Sequence, residues 1–190
     1  MKLNSLFSVF LIFIYSFIHA QNENRTFVKL EKTNSQIIVT TNDGFYFIKP
    51  YSNKIIETSF IPNGESYNPI SHSVVLTPNN DEFEVFEDEN SIQLATVGIS
   101  VLITKQPFQL SYFYKKKALV SERKGYVKSD ENVLLDFNLT TDEKLFGGGA
   151  RALGMNRRGN RLPLYNKAHY GYETHSELMN YTIPLVYSSN

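Results

Sequence analysis

Short β-rich runs separated by turn residues constrain the fold of this chain of 190 residues more than any other feature. The clearest pair is Ile37–Thr41 and Phe45–Ile48, which the turn residues Asn42-Asp43-Gly44 connect. Asp-Gly between two β-rich runs is a strong hairpin signal, because both residues tolerate the positive φ angles of a tight turn. We therefore expect two neighbouring antiparallel strands here.

Similar runs continue along the chain at intervals of about eight to twelve residues, a spacing typical of a β-sandwich. Lys115-Lys116-Lys117 is predicted to be a charged hairpin tip. The chain has 14 Phe and 12 Tyr, residue types that favour strands. We predict an all-β fold, an antiparallel β-sandwich, with strands at Ile55–Phe60, Ser73–Leu76, Glu82–Phe86, Ser91–Thr96, Gly98–Thr104, Phe108–Tyr114, Ala118–Glu122 and Val133–Leu139.

Charge and cysteine content exclude several classes of function. Lys and Arg together number 19, as do Asp and Glu, so the formal net charge is zero. We therefore expect no nucleic-acid partner. Cysteine is absent, which excludes a disulfide framework, a thiol nucleophile and a cysteine-bearing metal site.

The N-terminus has the pattern of a cleaved export signal. Lys2 precedes the apolar stretch Leu6–Ile18, and Ile18-His19-Ala20 places a small residue before the polar start at Gln21. The apolar stretch has 13 residues, fewer than the roughly 20 needed to span a bilayer as a helix. We predict a signal-peptide helix in residues 1–20, export to the periplasm or outside the cell, no membrane association after cleavage, and one β-sandwich domain over residues 21–190.

The character of the sequence changes near Asp142. Gly147-Gly148-Gly149 follows a short run at Leu145-Phe146, and a polar, basic and aromatic stretch continues until alternation returns at Met179–Tyr187. A phosphate-binding loop would need a Gly-Lys-Ser/Thr element and a strand-loop-helix unit, and neither is present. We expect a strand that enters a bend by close backbone packing, followed by a long loop of the kind that often carries ligand contacts.

Neither a metal site nor a catalytic pair can be singled out. His169, Glu173, His175 and Glu177 could form a metal cluster only if the strand bulged, so we expect an exposed polar strand face, no metal and no cofactor. Glycosidic hydrolysis needs two carboxylates about 5 to 9.5 Å apart. No such pair is indicated among the acidic residues near turns and strand ends, Asp130, Glu131, Asp136, Asp142 and Glu143, and we predict no catalytic residue.

One aromatic and polar group has the composition of a sugar site. Tyr165, Asn166, His169, Tyr170 and Tyr172 combine ring faces that stack on sugars with groups that form hydrogen bonds to hydroxyls. The alternative is that these rings only pack against the protein.

Several segments, which follow one another along the chain in the same order as in the family, resemble the N-terminal domain of family 31 glycoside hydrolases of the exported bacterial α-glucosidase and α-xylosidase type. One of them is Leu145–Arg151, which contains the three glycines and lies in the last third of the similarity, its more specific part. The others are Glu57–Pro62, Gly98–Tyr112, Leu153–Gly159, Leu164–Asn166 and Tyr181–Leu185.

This resemblance implies a galactose-mutarotase-like sandwich that packs on a (β/α)₈ barrel, where two aspartates perform retaining α-glycosidase chemistry. That barrel is absent from these residues and would need about 250 more. In the family, a loop of this domain helps form the sugar subsites. The matching positions, which we predict to bind substrate, are Asn166, His169, Tyr170 and Glu173. Ala168 stands where many members carry an aspartate.

The resemblance therefore predicts a carbohydrate-binding, substrate-shaping domain of a retaining α-glycosidase that acts on α-linked oligosaccharides. Because the catalytic aspartates of the family belong to the barrel, the chain is expected to be an N-terminal fragment that is inactive alone, although its family is one of enzymes. The alternative is a free-standing carbohydrate-binding module that uses Tyr165, His169 and Tyr170 as its platform.

Overall fold

The computed structural model describes residues 24–78, 83–129, 132–168, 170–176 and 179–190. The predicted signal peptide lies outside these ranges, as do His169 and Glu177. Within the described ranges the regular structure is entirely β-strand. None of these residues belongs to a helix with the length and apolar character needed to cross a bilayer. The described residues thus confirm the predicted all-β class.

The first sheet contains four antiparallel strands in sequence order: β1 (Phe27–Lys32), β2 (Ile37–Thr41), β3 (Gly44–Ser52) and β4 (Ile55–Pro62). Thr41 pairs with Gly44 across the tight turn at Asn42-Asp43, so the predicted Asp-Gly hairpin is confirmed. Backbone pairing in successive hairpins places every strand beside its neighbour in sequence, which is the simplest way to satisfy buried N–H and C=O groups.

The second sheet is a six-stranded antiparallel meander in which each strand pairs with the next one in sequence. Lys115 and Lys116 turn the chain between its fourth and fifth strands with φ angles of 47° and 70°, as the predicted tip requires. The strands are β5 (Glu84–Glu87), β6 (Ser91–Ala95), β7 (Ile99–Thr104), β8 (Gln109–Tyr114), β9 (Lys117–Lys128) and β10 (Val133–Phe137).

The described chain forms two compact units, one ending at Asn138 and the other comprising Leu139–Asn190. The second unit contains a two-stranded antiparallel ribbon, β11 (Leu145–Gly147) and β12 (Val186–Ser188). Most of the alternating run predicted at Met179–Tyr187 is therefore irregular, with strand pairing only at its end. The extent of the predicted 21–190 domain stays a prediction.

The prediction of a strand at Ser73–Leu76 is wrong. These residues are irregular and exposed, and Val75 has 92% of its surface in solvent. A β-rich run becomes a strand only when another strand satisfies its backbone and a core covers its face. No described strand pairs with this run, so its residue types alone do not make it a strand.

The core of the first unit lies between the inner faces of its two sheets. Alternate residues of each strand point inward, which is the period-two pattern expected of a sandwich. The fully buried apolar side chains come from both sheets: Ile37, Val39 and Ile48 from the first, and Ile92, Leu94, Val101, Ile103 and Leu110 from the second. The predicted antiparallel β-sandwich is confirmed.

A buried polar chain joins the two sheets through this core. Arg25, just before β1, is 4% exposed and donates hydrogen bonds to the Asp43 carboxylate at 2.7 to 3.0 Å, the Tyr46 hydroxyl at 2.6 Å and the Tyr126 carbonyl at 2.9 Å. The Tyr46 hydroxyl in turn donates to Glu122 Oε2 at 3.2 Å. Tyr46 belongs to β3 and Glu122 to β9, so the contact spans the sandwich.

The backbone of β9 is shaped to admit the Glu122 carboxyl. Pairing with β10 shifts register after Gly125 opposite Asp136, so that Glu122 lies opposite Phe137. Gly125 has a φ of 63°, and a Cβ there would overlap Glu122 Oε2. Burial raises the pKa of Glu122 to about 7, against the lowering effects of the Tyr46 hydrogen bond and the Arg25 charge.

We predict that protonation of Glu122 controls part of the stability of the first unit. The groups that face this carboxyl are Arg25, Tyr46 and Tyr112. Because the folded-state pKa is raised, the stabilisation is complete below about pH 4.5 and is lost as pH rises through about 7. The free energy of unfolding should therefore fall by up to about 3 kcal/mol across this window, and Glu122→Gln should remove the fall.

Urea unfolding followed by far-UV circular dichroism from pH 4.5 to 8.5 measures this effect. Glu84→Gln, at an exposed position of β5 in the same sheet, is the control and should keep the wild-type profile. Parallel profiles for the wild type and Glu122→Gln would contradict the prediction.

Candidate functional site

Three consecutive glycines bring two segments of the second unit into direct backbone contact. Gly147, Gly148 and Gly149 have φ angles of 109°, 77° and 84°. A Cβ on Gly149 would lie 2.6 Å from the Tyr181 carbonyl oxygen and 2.7 Å from Thr182 Cα, and one on Gly147 would overlap the Leu185 carbonyl. This geometry supports the prediction that the glycines allow close backbone packing. It does not favour the alternative, a phosphate-binding loop.

Main-chain hydrogen bonds fix this approach. Gly148 N–H donates to the Leu185 carbonyl at 2.9 Å, and Ala150 N–H donates to the Tyr181 carbonyl at 2.9 Å. Arg151, which follows the bend and is 9% exposed, donates to the Gly148 carbonyl at 3.1 Å through Nε and to the Pro163 carbonyl at 2.8 Å through Nη2. The bend therefore holds Arg151 in one place.

A second segment returns to this region between Asn166 and Thr182. Asn166 Oδ1 accepts hydrogen bonds from the Thr182 N–H and hydroxyl, both at 2.7 Å. Further along, His175 N–H donates to the Ala152 carbonyl at 2.7 Å, with a His175 φ of 68°. This bond places His175 next to Ala152, close to the residues that follow the glycine bend.

The two segments line an open cleft of about 570 Å³. Among the described residues one wall is Arg151, Ala152 and Leu153, and the other is Tyr172, Glu173 and Thr174. The volume falls in the range of about 300 to 1,000 Å³ usual for small-molecule sites. An aromatic ring, a carboxylate and a hydroxyl on one wall can stack on an apolar face and exchange hydrogen bonds with hydroxyl groups.

The four predicted binding residues have different positions in the structure. Glu173 lines the cleft. Tyr170 is 94% exposed and is not among the described lining residues, and Asn166 lies at the start of the returning segment. His169 lies outside the described residues. Their role in binding stays a prediction.

Ala152, Leu153 and Thr174 line the cleft although the sequence pattern did not single them out. They meet because the His175 backbone bonds to Ala152 across 23 positions of the chain. Almost any residue type can form a main-chain hydrogen bond of this kind. The sequence therefore contained no signal for this contact.

The expectation of an exposed strand face at Glu173–Glu177 is wrong for its described part. Thr174 and His175 form a turn, in which Ser176 N–H donates to the Glu173 carbonyl at 3.1 Å. The positive φ angle of His175 is incompatible with an extended strand. In the described ranges, no group of three or more histidine and acidic residues is placed to hold a metal ion.

The side chain of the nearby acidic residue Glu143 forms hydrogen bonds within the protein. It accepts hydrogen bonds from the Thr140 N–H at 2.8 Å and the Ser188 hydroxyl at 2.6 Å. Although partial burial raises its pKa, the Ser188 and Thr140 hydrogen bonds lower it to a net value below the usual range. Glu143 therefore ties the start of the second unit to β12.

The chain matches known proteins over most of its length. The family model described as "Glycosyl hydrolase 31 N-terminal galactose mutarotase-like domain" matches residues 45–190. In sequence, alpha-glucosidase 2 of Bacillus thermoamyloliquefaciens is 25% identical over 126 residues, which make up 65% of this chain and 16% of that protein.

Solved structures share the fold. A mutant of the Flavobacterium johnsoniae GH31 dextranase complexed with isomaltotriose has a TM-score of 0.71 at 23% identity, over 87% of this chain and 21% of that chain. A GH31 alpha-xylosidase from a soil metagenome, complexed with xylose, has a TM-score of 0.65 at 15% identity, over 85% of this chain and 27% of that chain. The chain thus spans between about a sixth and about a quarter of the length of these relatives.

We predict that Gly149→Ala destabilises the second unit much more than Gly159→Ala. Both glycines have φ near 80°, so each alanine pays about 1 to 2 kcal/mol for a left-handed backbone. Only at Gly149 does the added Cβ also meet main-chain atoms, since nothing lies within 4 Å of a Cβ at Gly159. Amide hydrogen exchange in residues 145–150 and 181–188 measures the difference, and equal protection in both variants would refute this role of Gly149.

Proposed function

The chain belongs to the glycosyl hydrolase 31 N-terminal galactose mutarotase-like domain family, and from this membership we propose that it is the carbohydrate-binding, substrate-shaping domain of a retaining α-glycosidase. Its substrate would be an α-linked oligosaccharide, and its partner in the whole enzyme would be a (β/α)₈ barrel. The relatives include an alpha-glucosidase and structures of a dextranase and an alpha-xylosidase. These names supply the substrate classes to test.

The cleft of the second unit is the observation that carries the proposal. Its lining includes Tyr172, which is 57% exposed, beside Glu173 and Thr174. Sugar rings offer apolar faces for stacking and hydroxyls for hydrogen bonds, so this wall matches both properties. The lining residues all lie between Arg151 and Thr174, within one compact unit.

We propose that the chain binds sugar without cutting it. Retaining hydrolysis needs a nucleophilic carboxylate and a second carboxyl group about 5 to 5.5 Å away. The described lining of the cleft contributes one carboxylate, that of Glu173. Incubation of the purified chain with isomaltotriose and with α-xylosides should release no monosaccharide, and turnover that persists after repurification would contradict this assignment.

Export is also proposed, from the basic and apolar pattern of residues 1–20 and the small residue at Ala20. The mature protein should then begin at Gln21. Intact mass measurement of the protein recovered outside the cytoplasm tests this, and a chain that keeps Met1 would contradict it.

A free-standing binding module is the second candidate function. The confinement of the described cleft lining to residues 151–174 favours it, because these residues all belong to one compact unit. Micromolar affinity of the chain alone would support a module, whereas affinity that is weak until a barrel is added would support the substrate-shaping domain.

We predict that Tyr172→Ala lowers the affinity of the chain for oligosaccharides by about five- to tenfold, because it removes the stacking ring from the cleft. Tyr181→Ala is the matched control, since Tyr181 is in the same unit, is 56% exposed and is not among the described lining residues. Glu173→Gln keeps the shape and removes the charge, and we expect a smaller loss.

Isothermal titration or NMR chemical-shift titration with isomaltotriose, maltotriose and xylose-containing oligosaccharides measures these affinities. An equal loss in the Tyr172 and Tyr181 variants would show that the cleft is not the site. No binding of any of these sugars by the wild type, either alone or after a barrel is added, would contradict the proposed function itself.

A further inference from the structure

We propose that Asn166 is a positioning residue that holds the cleft wall Tyr172–Thr174 in place and makes no hydrogen bond to sugar itself. The role in sugar binding rests on the proposed function, whereas the effect on the wall does not. Family resemblance had suggested Asn166 as a direct substrate contact. Its hydrogen bonds within the protein point to a different task.

The side-chain oxygen of Asn166 is fully used inside the protein. A carbonyl oxygen has two lone pairs, and Oδ1 accepts one hydrogen bond from the Thr182 N–H and another from the Thr182 hydroxyl, each at 2.7 Å. Because a main-chain N–H can only donate, the amide oxygen and not the amide nitrogen must face Thr182. This oxygen therefore has no remaining lone pair for a sugar hydroxyl.

These bonds close the base of the segment that carries the cleft wall. The next residue, Lys167, donates its N–H to the Met179 carbonyl at 3.2 Å. Two consecutive residues, Asn166 and Lys167, are thereby linked to Thr182 and Met179, so the ends of the intervening segment lie side by side. This closure holds the two ends of the segment together.

The cleft wall lies inside the closed segment and has a second attachment at its far end. His175 N–H donates to the Ala152 carbonyl at 2.7 Å, next to the opposite wall. Glu173 N–H donates to the Ser176 hydroxyl at 3.0 Å, which shapes the turn between these points. The described bonds thus position Tyr172–Thr174 from the base at Asn166 and from the turn at His175. If the Asn166–Thr182 bonds are lost, the wall is held mainly by the turn at His175.

Substitutions on both sides of the contact separate positioning from direct binding. Asn166→Ala removes the acceptor. Asn166→Asp keeps an oxygen that accepts both Thr182 donors but loses the amide N–H₂, the group that would donate to a sugar. Thr182→Val removes the hydroxyl donor and keeps the N–H. Asn160→Ala is the control, since Asn160 lies in the same unit and bonds the carbonyls of Arg157 and Arg158 instead.

Two measurements are made on the whole chain at pH 7: amide hydrogen exchange in residues 170–176 and affinity for isomaltotriose. We expect Asn166→Ala to speed exchange there about tenfold, the effect of roughly one net hydrogen bond, and to weaken binding by a similar factor. Thr182→Val should have a smaller effect of the same kind. Asn166→Asp and Asn160→Ala should resemble the wild type in both measurements.

Two results would overturn the proposal. Unchanged exchange in Asn166→Ala would show that the side chain does not hold the wall. Lost affinity with normal exchange in Asn166→Asp would show that the amide N–H₂ binds the sugar directly. If the wild type binds none of the sugars, either alone or with a barrel added, the proposed function fails, but the exchange measurements still decide whether Asn166 positions the wall.

Discussion

The hydrogen-bonded chain from Arg25 through Tyr46 to Glu122 is the interaction on which the sandwich depends most. It crosses the core from a residue just before β1 to β9, and its middle member, Tyr46, belongs to the buried apolar cluster and packs on Phe60 and Phe108. Removing one partner of such a buried network leaves the other partners unsatisfied, which costs more than the network gains. The contact therefore links β3 to β9 across the core, and the missing Cβ of Gly125 leaves room for the Glu122 carboxyl.

The second unit is organised by backbone contacts where the first is organised by an apolar core. Its glycine bend lets residues 147–150 approach residues 181–186 at main-chain distance, and Arg151 bonds carbonyl groups beside the bend. The cleft is a product of these contacts. Its walls consist of two short segments about 20 residues apart in sequence, and hydrogen bonds of Arg151, Ala152 and His175 position them. This arrangement leaves the side chains of Tyr172 and Glu173 available to a ligand.

Prediction from sequence succeeded where local residue chemistry decides the conformation. The turn at Asn42-Asp43, the lysine tip and the close packing of the three glycines were each signalled by neighbouring residues alone, and family membership confirmed the resemblance carried by Leu145–Arg151. Prediction failed at Ser73–Leu76, which has strand-forming residues but no described strand beside it. The turn at His175 was missed because histidine seldom adopts a positive φ angle without a tertiary contact such as its bond to Ala152.

The sequence by itself determined the all-β class, the order of most strands and the family, because period-two alternation, turn residues and the glycine segment are local patterns. Only the tertiary structure decided which side chains meet. It paired Tyr46 with Glu122 across 76 positions and brought Leu153 to the same cleft as Tyr172. It also bonded the side-chain oxygen of Asn166, a residue predicted to bind substrate, to Thr182. These outcomes depend on hydrogen bonds between distant segments, whose partners are fixed by the path of the folded chain and not by residue type.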